Sequence, residues 1–308
     1  MAGLHRLSFR PSRRMRRAAL RFRRAAGGVA AVEFALILPL MLLLYLGSAE
    51  TTQAVISSRK AAVASQAISD IVTQQYVSVS GVSGTNVVTD AMMGNLFNAA
   101  AMLMQPFSTA NLNVDVAAVS FKQYNAAPAD GTPIAKLYNP TTSTIGATPT
   151  AGAANAGYAA WVRWVVAPAS LPSGSSTLTS TAALARACTN SAASGSHSPA
   201  PVALTPDATA SDKPSATTLS TALYPTSAGN SIILTDLSYS YTPTFGATIA
   251  KFNWSQSTSS PLTTTNTMFN TPRDPSWSTT SCTGATSSDH WICYSSASTT
   301  VAASCAYN

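Results

Sequence analysis

The longest apolar stretch of the chain runs from Val29 to about Leu46 and continues into the uncharged residues 47–49. Its length is close to the ~20 residues that cross the hydrocarbon core of a membrane. Farther on, apolar residues recur at a spacing that fits one face of a helix: Ile56, Val63, Ala67 and Ile71. No Gly or Pro interrupts residues 48–76. The pattern predicts one helix over about 29–75, membrane-spanning in its first half and amphipathic in its second, with a break at 80–86.

A second helix is predicted over about 88–104. Thr89 or Asp90 is placed to cap its start, and Pro106 marks the region where it stops. The residues expected to face a core are Leu96, Ala100, Leu103 and Met104. The methionines of this segment have the spacing of ordinary core residues.

Past residue 110 the apolar pattern changes to the alternation that is typical of strands. Strands are predicted at 111–121, 158–167 and 231–241, with shorter ones at 290–294 and 299–307. The tracts 139–157, 168–230 and 255–287 are rich in Ala, Ser, Thr, Pro and Gly, so we expect long surface loops or partly ordered insertions there. The order of elements indicates an α+β protein: a long N-terminal helix, a shorter helix, and then a loop-rich domain with antiparallel strands and a thin core.

Charge is concentrated at the N-terminus. Nine arginines and no acidic residue lie in the first 24 residues, whereas the other 284 residues hold 9 Lys and Arg against 11 Asp and Glu. A basic arm of this kind can bind nucleic acid. Because it directly precedes an apolar run, the positive-inside rule explains it better: the arginines stay cytoplasmic and the rest is exported. The run lacks a small-residue cleavage site at its C-terminal end, so we expect a retained anchor.

The four cysteines all follow the apolar run: Cys188, Cys282, Cys293 and Cys305. An even number of cysteines in an exported segment favours disulfides over zinc, because no pair has the C-x2-C spacing of a zinc site. Three pairings are possible. The short loop between Cys282 and Cys293 makes that pair the first candidate.

Catalytic patterns are weak, and we predict neither a catalytic residue nor a cofactor. The three histidines, His5, His197 and His290, accompany no nucleophile elbow, and no phosphate-binding loop occurs. The string "DLSYS" from Asp236 to Ser240 has the D-x-S-x-S form of a metal-binding motif. Only 68 residues follow it, without α/β alternation, so we interpret it as a strand with small polar side chains and predict no metal site.

Glu33 lies near the start of the apolar run, where a carboxylate is costly. A glutamate near the end of a span can extend to the interface, and one near a helix N-terminus is favoured by the macrodipole. Its neighbours suggest a more specific role. Gly27-Gly28 ends the basic leader, and Glu33 is the fifth residue after Gly28.

A basic leader followed by "GGVAAVEFALILPLMLLLYL" resembles the prepilin-type N-terminus of the tight-adherence (Tad/Flp) type IVb pilins and pseudopilins. More closely, residues 28–78 are similar to the TadE-like pilus assembly proteins, including TadE and the N-terminal part of TadG. Gly28, the pair Glu33-Phe34 and Pro39 occupy the positions of the family's pattern. The resemblance implies a pseudopilin-like fold, a kink at Pro39, and cleavage after Gly28 by a prepilin peptidase.

Cleavage there would leave Val29 with a free amine. Pairing of Glu33 with the Val29 amine of a neighbouring subunit would offset part of the burial cost of both charges and would set the register of packed helices.

These inferences divide the chain into three parts: a basic cytoplasmic leader (1–28), a TadE-like transmembrane and amphipathic helix (29–78), and a periplasmic α+β domain with Ser/Thr/Ala-rich insertions (79–308). The expected function is that of a non-enzymatic minor pseudopilin or accessory component of a Tad-type pilus in the inner membrane, supporting adhesion and biofilm formation. Its expected partners are a prepilin peptidase, other pilins or pseudopilins, and inner-membrane platform proteins, with no nucleic acid. The alternative is an uncleaved, signal-anchored periplasmic or surface adhesion protein.

Overall fold

The structure is a computed structural model, which describes residues 27–74, 87–124, 126, 137–140, 142–146, 157–168, 171, 176–178, 202–207, 218–224, 231–243, 262–271 and 292–295. Contacts divide the chain into two compact units. The first holds Met1–Gln53 and Pro243–Ser259, and the second, called the body here, holds Ala54–Thr242 and Ser260–Asn308.

Two helices precede the main sheet, as the sequence predicts. Helix α1 is continuous over Gly27–Gln74, and helix α2 covers Asp90–Leu103. The Thr89 side chain accepts a hydrogen bond from the Met92 N–H at the start of α2, which confirms Thr89 as its N-cap. The predicted core-facing residues Leu96, Ala100 and Met104 are buried.

Leu103 is 42% exposed, so its prediction as a core residue is wrong. It lies at the edge of the buried face of α2, where the helix ends and the chain turns away.

Ten strands occur among the described residues. They are β1 (Val87–Thr89), β2 (Leu112–Gln123), β3 (Tyr138–Asn139), β4 (Thr144–Ile145), β5 (Tyr158–Val166), β6 (Val202–Asp207), β7 (Thr218–Ser220), β8 (Ser231–Tyr241), β9 (Leu262–Asn270) and β10 (Cys293–Ser295). The three long strands predicted from alternation correspond to β2, β5 and β8.

The main sheet is mostly antiparallel, with the order β4-β3-β5-β2-β8-β9. Strand β6 forms an antiparallel pair with β5 and a parallel pair with β7. Strand β2 lies between β5 and β8, and its pairing with β5 shifts register between Ala118 and Val119. A separate parallel pair joins β1 to β10.

The centre of the sheet is buried on both faces, since side chains that alternate along β2 enter two different clusters. Val114 and Val116 join the cluster that contains the helices, whereas Val119 and Phe121 join a cluster on the opposite face. Both faces of this central strand are therefore covered. This explains why few polar residues alternate with the apolar residues along its sequence.

Strand β10 ties residues near the C-terminus to the helix side of the sheet. Tyr294 is buried, its hydroxyl donates a hydrogen bond to Asp90 at the start of α2, and its ring packs 5.3 Å from that of Trp164. The Trp164 indole N–H donates to the Ile292 carbonyl at 2.6 Å. Burial, and then the hydrogen bond to Asp90, raise the pKa of the Tyr294 hydroxyl above its ordinary value.

The prediction of long loops is wrong where strands cross the Ser/Thr-rich tracts. Strands β4, β6 and β7 lie within 139–157 and 168–230, and β9 lies within 255–287. Strand β9 reads "LTTTNTMFN" and pairs only with β8 among the described strands. Threonine fits a pleated, half-buried strand although it adds little to apolar periodicity, so the pattern missed it.

Some sequence predictions lie outside the described residues. These are the basic leader through residue 26, the break at 80–86, the strand at 299–307, the three histidines, and Cys188, Cys282 and Cys305. Cys293 is described only as a backbone position of β10, so the disulfide predictions remain predictions.

Candidate functional site

The first part of α1 carries an apolar surface on all sides. Side chains from Val29 to Tyr45 are exposed, with Leu36 at 74% and Leu40 at 61%. So many exposed apolar side chains on one helix require an apolar environment or a partner. By length and composition, α1 is the one helix among the described residues that could cross a membrane.

Polar side chains at the end of this segment bond to their own helix. The hydroxyls of Ser48, Thr51 and Thr52 each donate at 2.8 Å to a backbone carbonyl three or four residues earlier. This bonding satisfies the hydroxyls without water, which is the condition for placing them at or near a lipid phase.

The predicted processing residues lie in the first two turns of α1. The helix starts at Gly27, so the Gly28–Val29 bond lies in its first turn, where paired glycines weaken helical structure. Glu33 follows Val29 by four residues and is therefore on the same face. Glu33 is exposed, and it forms no hydrogen bond or ion pair with another described residue. The adjacent Phe34 is 66% exposed.

Pro39 lies inside α1 without ending it. A proline lacks the N–H that would bond to the carbonyl of Ala35, so a kink is easiest at this point. The kink predicted at Pro39 stays a prediction.

The second part of α1, from Ala54 to Gln74, belongs to the body and packs within it through a narrow face of mostly small side chains. Its buried positions are Ser57, Ala61, Ala64, Ser65, Ile68, Ser69, Val72 and Thr73. Small side chains let the helix backbone approach the sheet closely. The cluster on this side of the sheet contains Ala61, Ala64, Ile68 and Val72 together with residues of α2, β2 and β8.

Two polar contacts fix this part of α1 in the body. The Lys60 ammonium donates to the carbonyls of Leu103 and Gln105, at 3.3 and 2.5 Å, and so caps the C-terminal end of α2. The Asn270 amide donates to Asp70 at 2.6 Å, which links α1 to β9.

The apolar stripe predicted from the sequence lies on the other face of α1. Ile56 is 42% exposed, Val63 57% and Ile71 37%, and Ala67 is half-buried. We call these four residues the outer stripe. The spacing correctly indicated one apolar face, but the buried face is the row of small residues. The outer stripe is therefore available to a partner.

The D-x-S-x-S residues lie in the second half of β8, which confirms the strand interpretation. Asp236 accepts a 2.6 Å hydrogen bond from the Thr267 hydroxyl, and the Ser240 hydroxyl lies 3.0 Å from that of Thr263. Asp236 is buried, and so is Asp115, its partner in register on β2. Sequence reasoning missed Asp115, because only the strand register places it opposite Asp236.

No group of three or more His, Cys, Asp or Glu side chains in the described ranges is arranged to hold a metal ion.

The comparisons with known proteins bear on α1. Residues 28–69 match the family model of the TadE-like proteins, which is 42 of the 308 residues. The match begins at Gly28 and covers the apolar segment and most of the part that packs on the body. No curated protein and no solved structure matches the chain. The resemblance inferred from Gly28, Glu33-Phe34 and Pro39 is thereby confirmed.

Proposed function

We propose that this protein is a non-enzymatic component of a Tad-type pilus assembly system, either a minor pseudopilin or an accessory protein. The observation that carries the proposal is that the TadE-like match falls on α1, the helix with an apolar exposed segment and a second part fixed in the body. A helix of this kind can be held in a membrane while it connects to a folded domain. Support of adhesion and biofilm formation would follow from a role in pilus biogenesis.

The proposed topology is a single pass through the inner membrane. The nine arginines before residue 25 favour a cytoplasmic N-terminus, since basic residues remain on that side. The body, from the second part of α1 onward, would then lie in the periplasm.

In the proposed processing step, a prepilin peptidase cuts the Gly28–Val29 bond. The glycine pair at the start of α1 supports this step, because an easily unwound first turn exposes the peptide bond to a protease. The products are a leader of residues 1–28 and a mature chain that begins with the Val29 amine.

Glu33 gains a partner by this cleavage. A carboxylate at the centre of a span costs about 3 kcal/mol and less near its ends. The positive Val29 amine of a neighbouring subunit, placed beside Glu33, would offset part of that cost and fix the axial position of one helix against the next.

The outer stripe provides the second contact of the proposed assembly. It continues the apolar surface along the same helix, beyond the segment that would be in lipid. Packing of Ile56, Val63 and Ile71 against the helix of another pilin or pseudopilin would bury them. Inner-membrane platform proteins are the other proposed partners.

Co-expression with a Tad prepilin peptidase tests the processing step. Mass spectrometry of the full chain should show the loss of residues 1–28 with the active peptidase, and an intact chain with a catalytically inactive one. An intact chain in both cases would favour the alternative of an uncleaved, signal-anchored adhesion protein.

A Glu33→Ala variant tests the register role separately. We expect the peptidase to cleave this variant, while its recovery in sheared pili falls, because the new amine lacks its partner. Normal incorporation of the cleaved variant would refute the register role and leave the processing step intact.

A further inference from the structure

A cleft in the body lies beside the C-terminal end of α2. It has a volume of about 520 Å³, within the size range of pockets that hold small ligands. The described residues that line it are Asn98, Ala101, Met102, Gln105, Phe107, Ser108, Thr109 and Thr177. Neither the outer stripe nor the processing residues of α1 contribute to it.

The described lining of the cleft is neutral and rich in hydrogen-bonding groups. Five of its eight residues carry an amide or a hydroxyl, and none carries a charge. The nearby Lys60 ammonium is bound to the Leu103 and Gln105 carbonyls, so it offsets the negative end of the α2 dipole. A neutral, polar ligand suits this lining better than an anion or a hydrocarbon.

Hydrogen bonds within the protein determine which groups remain for a ligand. The Asn98 carbonyl oxygen accepts from the Thr177 N–H at 2.6 Å and from the Thr177 hydroxyl at 2.9 Å, which leaves the Asn98 amide N–H groups as donors. The Ser108 hydroxyl accepts from the Ala110 N–H, so its own O–H is a donor. The Thr177 oxygen remains an acceptor.

The Gln105 side-chain amide and the Thr109 hydroxyl add further donors and acceptors, and neither forms a hydrogen bond with another described residue. The cleft thus offers both donors and acceptors to a ligand. A sequence of neighbouring hydroxyls, each able to donate and accept, is the ligand surface that complements this arrangement.

Phe107 adds an aromatic surface that is held in position. Its backbone N–H donates to the Met104 carbonyl at 2.9 Å, and its ring makes edge-to-face contacts with Tyr239 at 6.4 Å and Tyr241 at 6.3 Å. Phe107 is half-buried. An aromatic ring of this kind stacks on the C–H face of a sugar ring, while the hydroxyls at the sugar's edge bond to the amides and hydroxyls of the cleft.

We propose that this cleft binds a neutral saccharide, with Phe107 as the stacking surface and Asn98, Gln105, Thr109 and Thr177 as hydrogen-bonding residues. The inference stands on the cleft alone and does not depend on the role of α1 in a pilus.

The test uses the full chain in lipid nanodiscs prepared without glycoside detergents, which would compete for the cleft. The probes are the neutral trisaccharides maltotriose, cellotriose and tri-N-acetylglucosamine. A matched acidic trisaccharide, trigalacturonate, and a capped neutral tetrapeptide serve as comparisons. Saturation-transfer NMR detects binding, and titration gives the affinity.

We expect at least one neutral trisaccharide to bind more tightly than trigalacturonate and the peptide. The double variant Gln105→Leu/Thr109→Val should bind it about 25-fold more weakly, since each lost hydrogen bond is worth about fivefold. The control variant Gln66→Leu carries the same Gln-to-Leu substitution at an exposed position of α1, and it should leave the affinity unchanged.

Three results would overturn the proposal: no binding of any neutral trisaccharide, equal binding by the double variant, or preferential binding of the acidic sugar or the peptide. The melting temperature of the double variant is compared with that of the wild type, and equal values show that both bodies are folded. We expect equal values because Gln105 is exposed on the surface.

Discussion

The change Tyr294→Phe removes one hydroxyl from the contact that ties β10 to the start of α2. Tyr294 is 1% exposed, and its hydroxyl donates to the buried Asp90 carboxyl group. The phenyl ring of the variant keeps the packing against Trp164. The substitution therefore isolates the hydrogen bond from the apolar contacts of the side chain.

The expected cost follows from the nature of the acceptor. Hydrogen bonds to charged groups contribute about 1.5–3 kcal/mol, and Asp90 is 5% exposed, so water has little access to replace the lost donor. We expect the free energy of unfolding to fall by about 2 kcal/mol. In a domain of this size that corresponds to a melting temperature about 4–8 °C lower.

Tyr158→Phe is the matched control. Tyr158 is also fully buried, but its hydroxyl has no hydrogen-bond partner among the residues that the structure describes. Removal of an unsatisfied buried hydroxyl should leave stability unchanged or raise it slightly. Both variants are melted as full chains in nanodiscs, with near-ultraviolet circular dichroism as the signal. Equal losses of stability in the two variants would refute the assignment of a stabilising hydrogen bond to Tyr294.

Three further predictions concern pH and packing. Burial raises the pKa of both Tyr224 and Tyr294 above 10.0, so the unfolded chain loses these protons first as pH rises. The free energy of unfolding should stay constant below pH 10 and then fall by up to about 1.4 kcal/mol per pH unit for each tyrosine. The fall should be less steep in Tyr294→Phe. An equal slope in that variant would contradict a raised pKa of Tyr294 in the folded chain. Ala64→Leu, on the buried face of α1, should lower the free energy of unfolding in urea by about 1–3 kcal/mol. Val63→Leu, on the outer stripe, should change it by less than about 0.5 kcal/mol. A larger loss of stability in Val63→Leu than in Ala64→Leu would show that the two faces are misassigned. Gly157→Ala would place a Cβ 3.1 Å from the Leu137 Cβ and should lower stability by about 1 kcal/mol, and an unchanged melting temperature would mean that Leu137 moves freely.

The sequence predicted α1, α2 and three long strands well, because each has a clear apolar period. The run from Val29 to Leu46 and the absence of Gly and Pro from residue 48 to 76 predict one helix, and the structure has it over Gly27–Gln74. The alternation in β2, β5 and β8 arises from side chains that enter clusters on opposite faces of the sheet.

Other features had no local signal. The outer stripe and the buried face of α1 both contain apolar side chains. The helical period alone therefore does not show which of the two faces packs against the sheet. The hydrogen bond between Asp90 and Tyr294 joins residues 204 positions apart, so no sequence window contains it. Strand β9 forms from threonines that pair with β8, and its stability depends on that neighbour rather than on its own pattern.

Pilus formation by the native host is the measurement that tests the assignment to a Tad-type pilus most directly. Electron microscopy should show loss or a sharp reduction of surface pili when the gene is deleted, and recovery when the wild-type chain is supplied. Complementation with Glu33→Ala should restore fewer pili, because the cleaved helix lacks its partner carboxylate. An unchanged number of pili on the deletion strain would contradict the proposed function.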